Sequence, residues 1–360
     1  MTKKTFILII LAVLAVMLLS SCAGGNALAA ATSWPGITAD PEAGIAYLSA
    51  GPHVFALTTK NGTLAWRYPE TPARNITFYA APTVAGNLII AGDYRKSVHA
   101  IDALDGREAW IFADARDRFI ASAAFASDTI IAPSADFNIY AINMNGNLNY
   151  KIETNQINWA SAVTDGSTVY APSMDHNVYA FDANSGNERW VTNVGGAVAA
   201  APALENGVFY IATLGQEVIA LNTSDGSIRW RADAEDYVWS APSVKDGLLL
   251  VINASGTILA LDTENGSQLW TATSGGNVTA SAAFYEDGFI VVTHNLDIIA
   301  LDFDGAKIWT RSANISAGSF TSTPVIVDDL IIIPVTQSAD KWVIAYDLNG
   351  NEVWSFTPEN

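Results

Sequence analysis

Residues 260–270 read ALDTENGSQLW, and their reading decides the fold. An Asn-Gly pair sits in the middle, and Trp270 follows Gly266 by four residues. Asn-Gly and Asp-Gly accept the positive-φ conformations that tight hairpins require. The stretch is therefore a strand, a turn and a second strand that carries the tryptophan. It recurs as ALTTKNGTLAW (56–66), AIDALDGREAW (100–110), AINMNGNLNY (141–150), AFDANSGNERW (180–190), ALNTSDGSIRW (220–230), ALDFDGAKIW (300–309) and AYDLNGNEVW (345–354). The closing aromatics are Trp66, Trp110, Tyr150, Trp190, Trp230, Trp270, Trp309 and Trp354, spaced 44, 40, 40, 40, 40, 39 and 45 residues apart. Self-similarity at this period marks a repeat architecture.

Two further strand-like runs precede each hairpin. In SAPSVKDGLLLVINASG, Asp246-Gly247 makes a turn and Leu248 to Asn253 is apolar and β-prone. The unit is a four-stranded antiparallel meander, and no stretch after Cys22 carries a helical period. Eight such meanders predict an all-β, eight-bladed β-propeller whose closure removes exposed sheet edges. The segments 34–39 and 45–50 can supply the inner strands of blade one. The ring then closes by side-by-side packing of blades eight and one, or by exchange of a strand between them.

The N-terminus has another character. Lys3 and Lys4 precede an unbroken apolar run, Phe6 to Leu19, of 14 residues. That suits a signal-peptide core and is short for a membrane span, which takes roughly 20 residues. Leu19-Ser20-Ser21-Cys22 follows, and Cys22 is the one cysteine of the sequence. The run resembles a bacterial lipobox, which implies cleavage before Cys22 and acylation of its thiol. The predicted organisation is a lipoprotein signal peptide over 1–21, a lipidated flexible tether over 22–33 and the propeller over 34–360. It places the protein outside the cytoplasm, either on the periplasmic face of an outer membrane or on the outer face of a single cell membrane.

The sequence has 36 Asp and Glu against 18 Lys and Arg, a formal charge of −18. Loss of residues 1–21 removes Lys3 and Lys4 and no acid, giving 16 against 36, or −20. So acidic a surface repels phosphate backbones, and nucleic-acid binding is not expected.

The pattern A-x-D-x-x-(T/S/N)-G-x-x-x-W resembles the tryptophan-docking motif of the pyrroloquinoline-quinone-type (PQQ-like) propellers. The resemblance covers 34–356, and it implies that the eight aromatics pack between blades as structural elements. Two subfamilies follow from it. Quinone-dependent alcohol dehydrogenases use a vicinal cysteine pair, a calcium ion and a catalytic aspartate. With one cysteine, no such pair exists here. Asp102, Asp182, Asp262, Asp302 and Asp347 sit at hairpin turns, where capping accounts for them. Length, lipobox and compact blades also resemble the propeller subunit of the outer-membrane β-barrel assembly machinery. That resemblance implies a non-enzymatic scaffold binding a cell-envelope protein, with no cofactor and a monomeric ring. The Leu-Arg docking loop of that subunit has no counterpart here. A quinone enzyme or a small-ligand-binding propeller is the alternative.

His53, His99, His176 and His294 are far apart in sequence. No metal site is expected from them, and no catalytic elbow or phosphate loop occurs. Loop length points to a docking face instead. From the motif aromatic to the next inner-strand Pro or its equivalent, Trp66–Pro82 spans 16 residues, Trp309–Pro324 spans 15 and Trp110–Ala124 spans 14. Arg74, Arg116 and Arg118 lie in two of these loops, with Arg95 and Lys96 in the neighbouring turn. Asp114 and Asp117 stand close enough in sequence to offset them. Three residues before that Pro or its equivalent stand Tyr79, Ala121, Trp159, Ala199, Trp239, Ala280 and Thr321. Tyr79, Trp159 and Trp239 then either interdigitate as packing or form an aromatic collar at the channel mouth beside the arginines.

Overall fold

A computed structural model describes residues 36–359. The signal segment, Cys22, the tether and Trp34 lie outside the described residues. Strands fill eight four-stranded sheets, each an antiparallel meander of consecutive strands. The blades cover 36–68, 83–112, 124–153, 163–193, 203–233, 243–273, 283–312 and 325–356. Among the described residues there is no helix long and apolar enough to cross a membrane. Among the described residues no strand is exchanged at the closure: Gly36–Asp40 pairs Ile45–Ala50 in blade one, and Glu352–Phe356 pairs Val343–Asp347 in blade eight. The inner strands of successive blades touch all the way round, including Gly36–Asp40 against Val325–Val327, so they line the axis.

Blade six shows why the motif folds as it does. Ser243, Leu250, Ala260 and Trp270 stand in one row across its four strands. The motif alanine faces the motif aromatic in every blade, and a bulge follows it each time. That bulge twists the outer strand locally. In the turn beyond it, Oδ1 of Asp262 accepts the backbone N–H groups of Glu264 at 2.9 Å and Asn265 at 3.1 Å. Asp102, Asp182, Asp302 and Asp347 cap their turns likewise. Gly266 at φ +73° completes this one.

Each motif aromatic then reaches into the next blade. Trp230 Nε1 donates to the Thr263 carbonyl at 3.0 Å and covers Gly266. Trp66 donates to Ala103, Trp110 to Met144, Tyr150 to Ala183, Trp190 to Thr223, Trp270 to Phe303, Trp309 to Leu348 and Trp354 to Thr59. The motif glycine thus serves the turn and also the close approach of a neighbour's ring. A Cβ at Gly106 would stand 2.8 Å from Trp66 Cδ2.

Candidate functional site

Antiparallel blades put two sets of connections on opposite faces. The loops between blades share one face with the turns joining second and third strands. Connections 69–82, 113–123 and 313–324 are longer than 154–162, 194–202, 234–242 and 274–282. Elaboration is therefore concentrated on one arc, blades seven through three.

The first long loop is stitched down at Phe78, which bridges Gly51 of blade one and Asp93 of blade two. Phe78, Phe119, Val198, Val238, Val278 and Phe320 are all buried at this step of their loops. The residue after each is the mouth position. Strand pairing fixes which residue that is: Ala124 pairs Ile131 and Ala283 pairs Ile290, as Ser243 pairs Leu250. The equivalents of Pro242 are therefore Ala123 and Ala282, and the mouth positions in blades three and seven are Ile120 and Thr279. The expected Ala121 and Ala280 are each one residue out, because these blades lack the proline that marks the register. With Ile120 in the ring, large and small side chains do not alternate through blade three.

The three aromatics also part company. Tyr79 is 8% exposed, its ring centroid 3.9 Å from that of Tyr94, so it belongs to packing. Trp159 and Trp239 are 36% and 41% exposed and stand open on the loop face. A collar of three equivalent aromatics does not form.

Arg74, Arg95 and Arg118 gather, while Arg116 lies near Tyr140 and Glu153 of blade three. Arg95 Nη1 donates to the Arg74 carbonyl at 2.9 Å, joining the first long loop to the blade-two turn. The Arg118 guanidinium lies 5.3 Å from the Tyr94 ring centroid. Burial raises the Tyr94 pKa, nearby Tyr79 adds to this, and Arg118 opposes it. Arg116 is anchored by its backbone N–H, which donates to Asp136 Oδ2 at 2.7 Å.

Beneath these loops lies a network that residue types alone did not reveal. Asp93 and His99 are 2% and 3% exposed. Asp93 Oδ1 accepts the N–H groups of Arg95 at 2.8 Å and Ser97 at 2.7 Å, and its Oδ2 is 3.0 Å from His99 Nε2. His99 Nδ1 lies 2.9 Å from the Tyr68 hydroxyl, which donates to Glu108 Oε2 at 2.5 Å. Burial, then the Glu108 hydrogen bond, pushes the Tyr68 pKa far up. Blades three and four repeat the device with tyrosine. The Tyr140 hydroxyl donates to Asp136 Oδ2, and that of Tyr179 to Asp175 Oδ2, both at 2.6 Å. Burial works to raise the Asp136 pKa, but bonds from Tyr140, Arg116 and Asn138 outweigh it and hold it below the usual range. The signal was present in sequence as D-x-N-(I/V)-Y, at 136–140 and 175–179.

The other histidines are dispersed: His53 Nδ1 lies 2.8 Å from the Pro69 carbonyl, and His294 Nε2 lies 3.0 Å from Thr279 Oγ1. Among the described residues no three His, Cys, Asp or Glu side chains group as a metal site. With one cysteine in the sequence, the vicinal cysteine pair of the quinone-dependent alcohol dehydrogenases cannot form.

A family model described as outer membrane protein assembly factor BamB, with PQQ-type repeats, matches residues 23–177 and 174–360. The chain belongs to this family. The BamB crystal structure from Moraxella catarrhalis superposes with a TM-score of 0.72 at 16% identity, covering 86% of this chain and 94% of that one. The computationally designed Ika8 protein gives 0.74 at 14% identity, over 87% of this chain and 95% of its own. These likenesses show the shared eight-bladed fold. A 70-residue stretch is 34% identical to the serine/threonine-protein kinase AfsK of Streptomyces griseus. It takes in 19% of this chain and 9% of that kinase's length.

Proposed function

We infer that this protein is a non-enzymatic, lipid-anchored scaffold of the cell envelope that serves outer-membrane protein assembly by docking a protein on its loop face. The observation that carries the reading is the match of the assembly-factor family along nearly the whole propeller. Loop elaboration on one face, open Trp159 and Trp239, and an arginine cluster on clamped turns support it. Aromatics and arginine are the residue types enriched at binding hot spots.

The test is site-specific photo-cross-linking in cells. A photoreactive residue at Trp239 is expected to trap a component of the barrel assembly machinery. The same residue at Leu104, 90% exposed in a turn of the opposite face, is expected to trap none. Equal yields from both faces, or no adduct at Trp239, count against the docking face. Cofactor-dependent dye reduction by the purified protein with pyrroloquinoline quinone, calcium and a panel of alcohols and sugars would replace this reading with an enzymatic one.

A further inference from the structure

We propose that the arc formed by Arg74, Arg95, Lys96, Arg116 and Arg118 binds an acidic peptide segment of the protein partner. The inference rests on the scaffold reading and adds the chemistry of the partner.

The argument starts from where the nearby carboxylates go. The chain has twice as many acids as bases, 36 against 18. Arg107, Lys151, Arg189, Arg231 and Lys341 pair with Asp105, Glu153, Asp182, Glu217 and Glu352, while Lys60, Arg67, Arg229, Lys245, Lys307 and Arg311, scattered over other blades, do not. Among the described residues none of the five cations of the arc forms an ion pair. Three nearby acids bond to backbone instead, while Asp114 stands exposed in the same loop as Arg116 and Arg118. Asp93 is buried and holds the Arg95 and Ser97 N–H groups. Asp136 takes the Arg116 N–H and the Tyr140 hydroxyl. Asp117 accepts the Arg118 N–H at 2.8 Å. Each carboxylate bonds to backbone N–H at an arginine rather than to a guanidinium, and Arg95, Arg116 and Arg118 are exposed.

Preorganisation follows from the same bonds. The turn 93–97 is tied through Asp93 to His99, and loop 113–123 is tied through Asp136 to blade three. The Tyr94 ring backs Arg118 from one side. An acidic ligand therefore meets cations whose loops are already ordered, and binding does not have to order them. The five charges are spread over two loops and a turn, which suits an extended segment more than a single anion. Aromatic backing of an arginine is a feature of protein interfaces. In a chain of charge −18, this arc is where an acidic partner is not repelled.

The test uses the full chain in neutral detergent and the anisotropy of fluorescently labelled decaglutamate, with labelled decalysine as control. Decaglutamate is expected to bind at about 0.1 M salt and to be released at about 1 M, as the screening length falls from about 10 Å to about 3 Å. The Arg95→Glu/Arg118→Glu pair is expected to weaken binding about tenfold or more, and the Arg95→Gln/Arg118→Gln pair less. Lys60→Glu/Lys307→Glu makes the same charge change at exposed sites on the opposite face and is expected to change nothing. Circular dichroism and melting checks confirm that each variant is folded. Absence of salt-sensitive decaglutamate binding, an equal loss in the Lys60/Lys307 variant, or preference for anionic vesicles over the peptide overturns the proposal. Any of these results alongside an intact Trp239 cross-link removes the acidic-segment inference and leaves the scaffold standing. Decaglutamate binding without that cross-link removes the scaffold reading instead.

Discussion

The indole N–H of Trp354 donates to the carbonyl of Thr59 at 2.8 Å, across 295 residues of chain. This bond matches the six other indole bonds between blades, to the same motif position at 2.9–3.0 Å, so the closure is one more repeat of the same interface. Beside it the Thr59 hydroxyl lies 3.1 Å from Asp328 Oδ2 of blade eight.

Trp354→Ala is expected to cost about 3–5 kcal/mol, and Trp354→Phe about 1–2 kcal/mol for the lost hydrogen bond and smaller ring. Trp230→Ala should match Trp354→Ala if closure is an ordinary interface. Urea unfolding of the three variants measures this. A closure variant that costs nothing would mean that the ring does not depend on the seam.

Gly62 and Gly44 separate two roles of glycine. Both have positive φ, +69° and +65°. A Cβ at Gly62 would overlap the Trp354 ring, whereas at Gly44 the nearest atom is Thr59 Oγ1 at 3.9 Å. Gly44→Ala is expected to cost about 1–2 kcal/mol from backbone conformation, and Gly62→Ala about 1–3 kcal/mol more from overpacking. Equal melting temperatures for the two would refute the close-approach role.

Tyr79 and Trp239 occupy equivalent loop positions with opposite burial. Tyr79→Ala is expected to destabilise by about 3–5 kcal/mol through the lost contact with Tyr94. Trp239→Ala is expected to stay within about 1 kcal/mol of the parent and to lose partner binding. Thermal melts beside a binding assay on both variants decide the matter.

Asp165 gives the stability curve an acid limb. Burial works to raise its pKa, but the Thr168 and Ser167 N–H groups and the Tyr170 hydroxyl hold it at about 2. Its unfolded value is about 3.9. A depressed folded pKa stabilises above the unfolded value, and that stability is lost as pH falls from about 4 toward about 2. Asp165→Asn is expected to be less stable at neutral pH, with the gap narrowing across this window. Denaturant titrations at stepped pH test it, and a gap that stays constant down to pH 2 would be the contrary result.

Lipid attachment is expected at Cys22 alone. Radiolabelled fatty acid should mark the parent protein and leave Cys22→Ser unlabelled. Equal labelling of the variant would place the acyl chain elsewhere or remove it from the account.

The sequence by itself determined the number of blades, the four-strand meander and the capped hairpin turns. These depend on residues within one repeat: an Asn-Gly, Asp-Gly or Ser-Gly turn, in five repeats an aspartate three or four residues before the glycine, and alternating apolar runs. It also located the long loops and their arginines, since lengths and charges are local properties. What depends on a neighbouring blade was not legible. The motif glycine reads as a turn residue, and only the approach of a ring from the previous blade shows its second purpose. Ile120 and Thr279 could not be placed without strand pairing, because no proline marks the register in blades three and seven. Tyr79 and Trp239 are alike in sequence position. Tyr94 packs over one, and the other stays 41% exposed. Asp117 stands beside two arginines in sequence, and the structure bonds it to the Arg118 backbone N–H while Asp93 turns inward to His99. Local patterning fixes what one repeat becomes. The direction in which a side chain spends its hydrogen bonds depends on which groups the ring brings within reach, and that is a property of the tertiary structure.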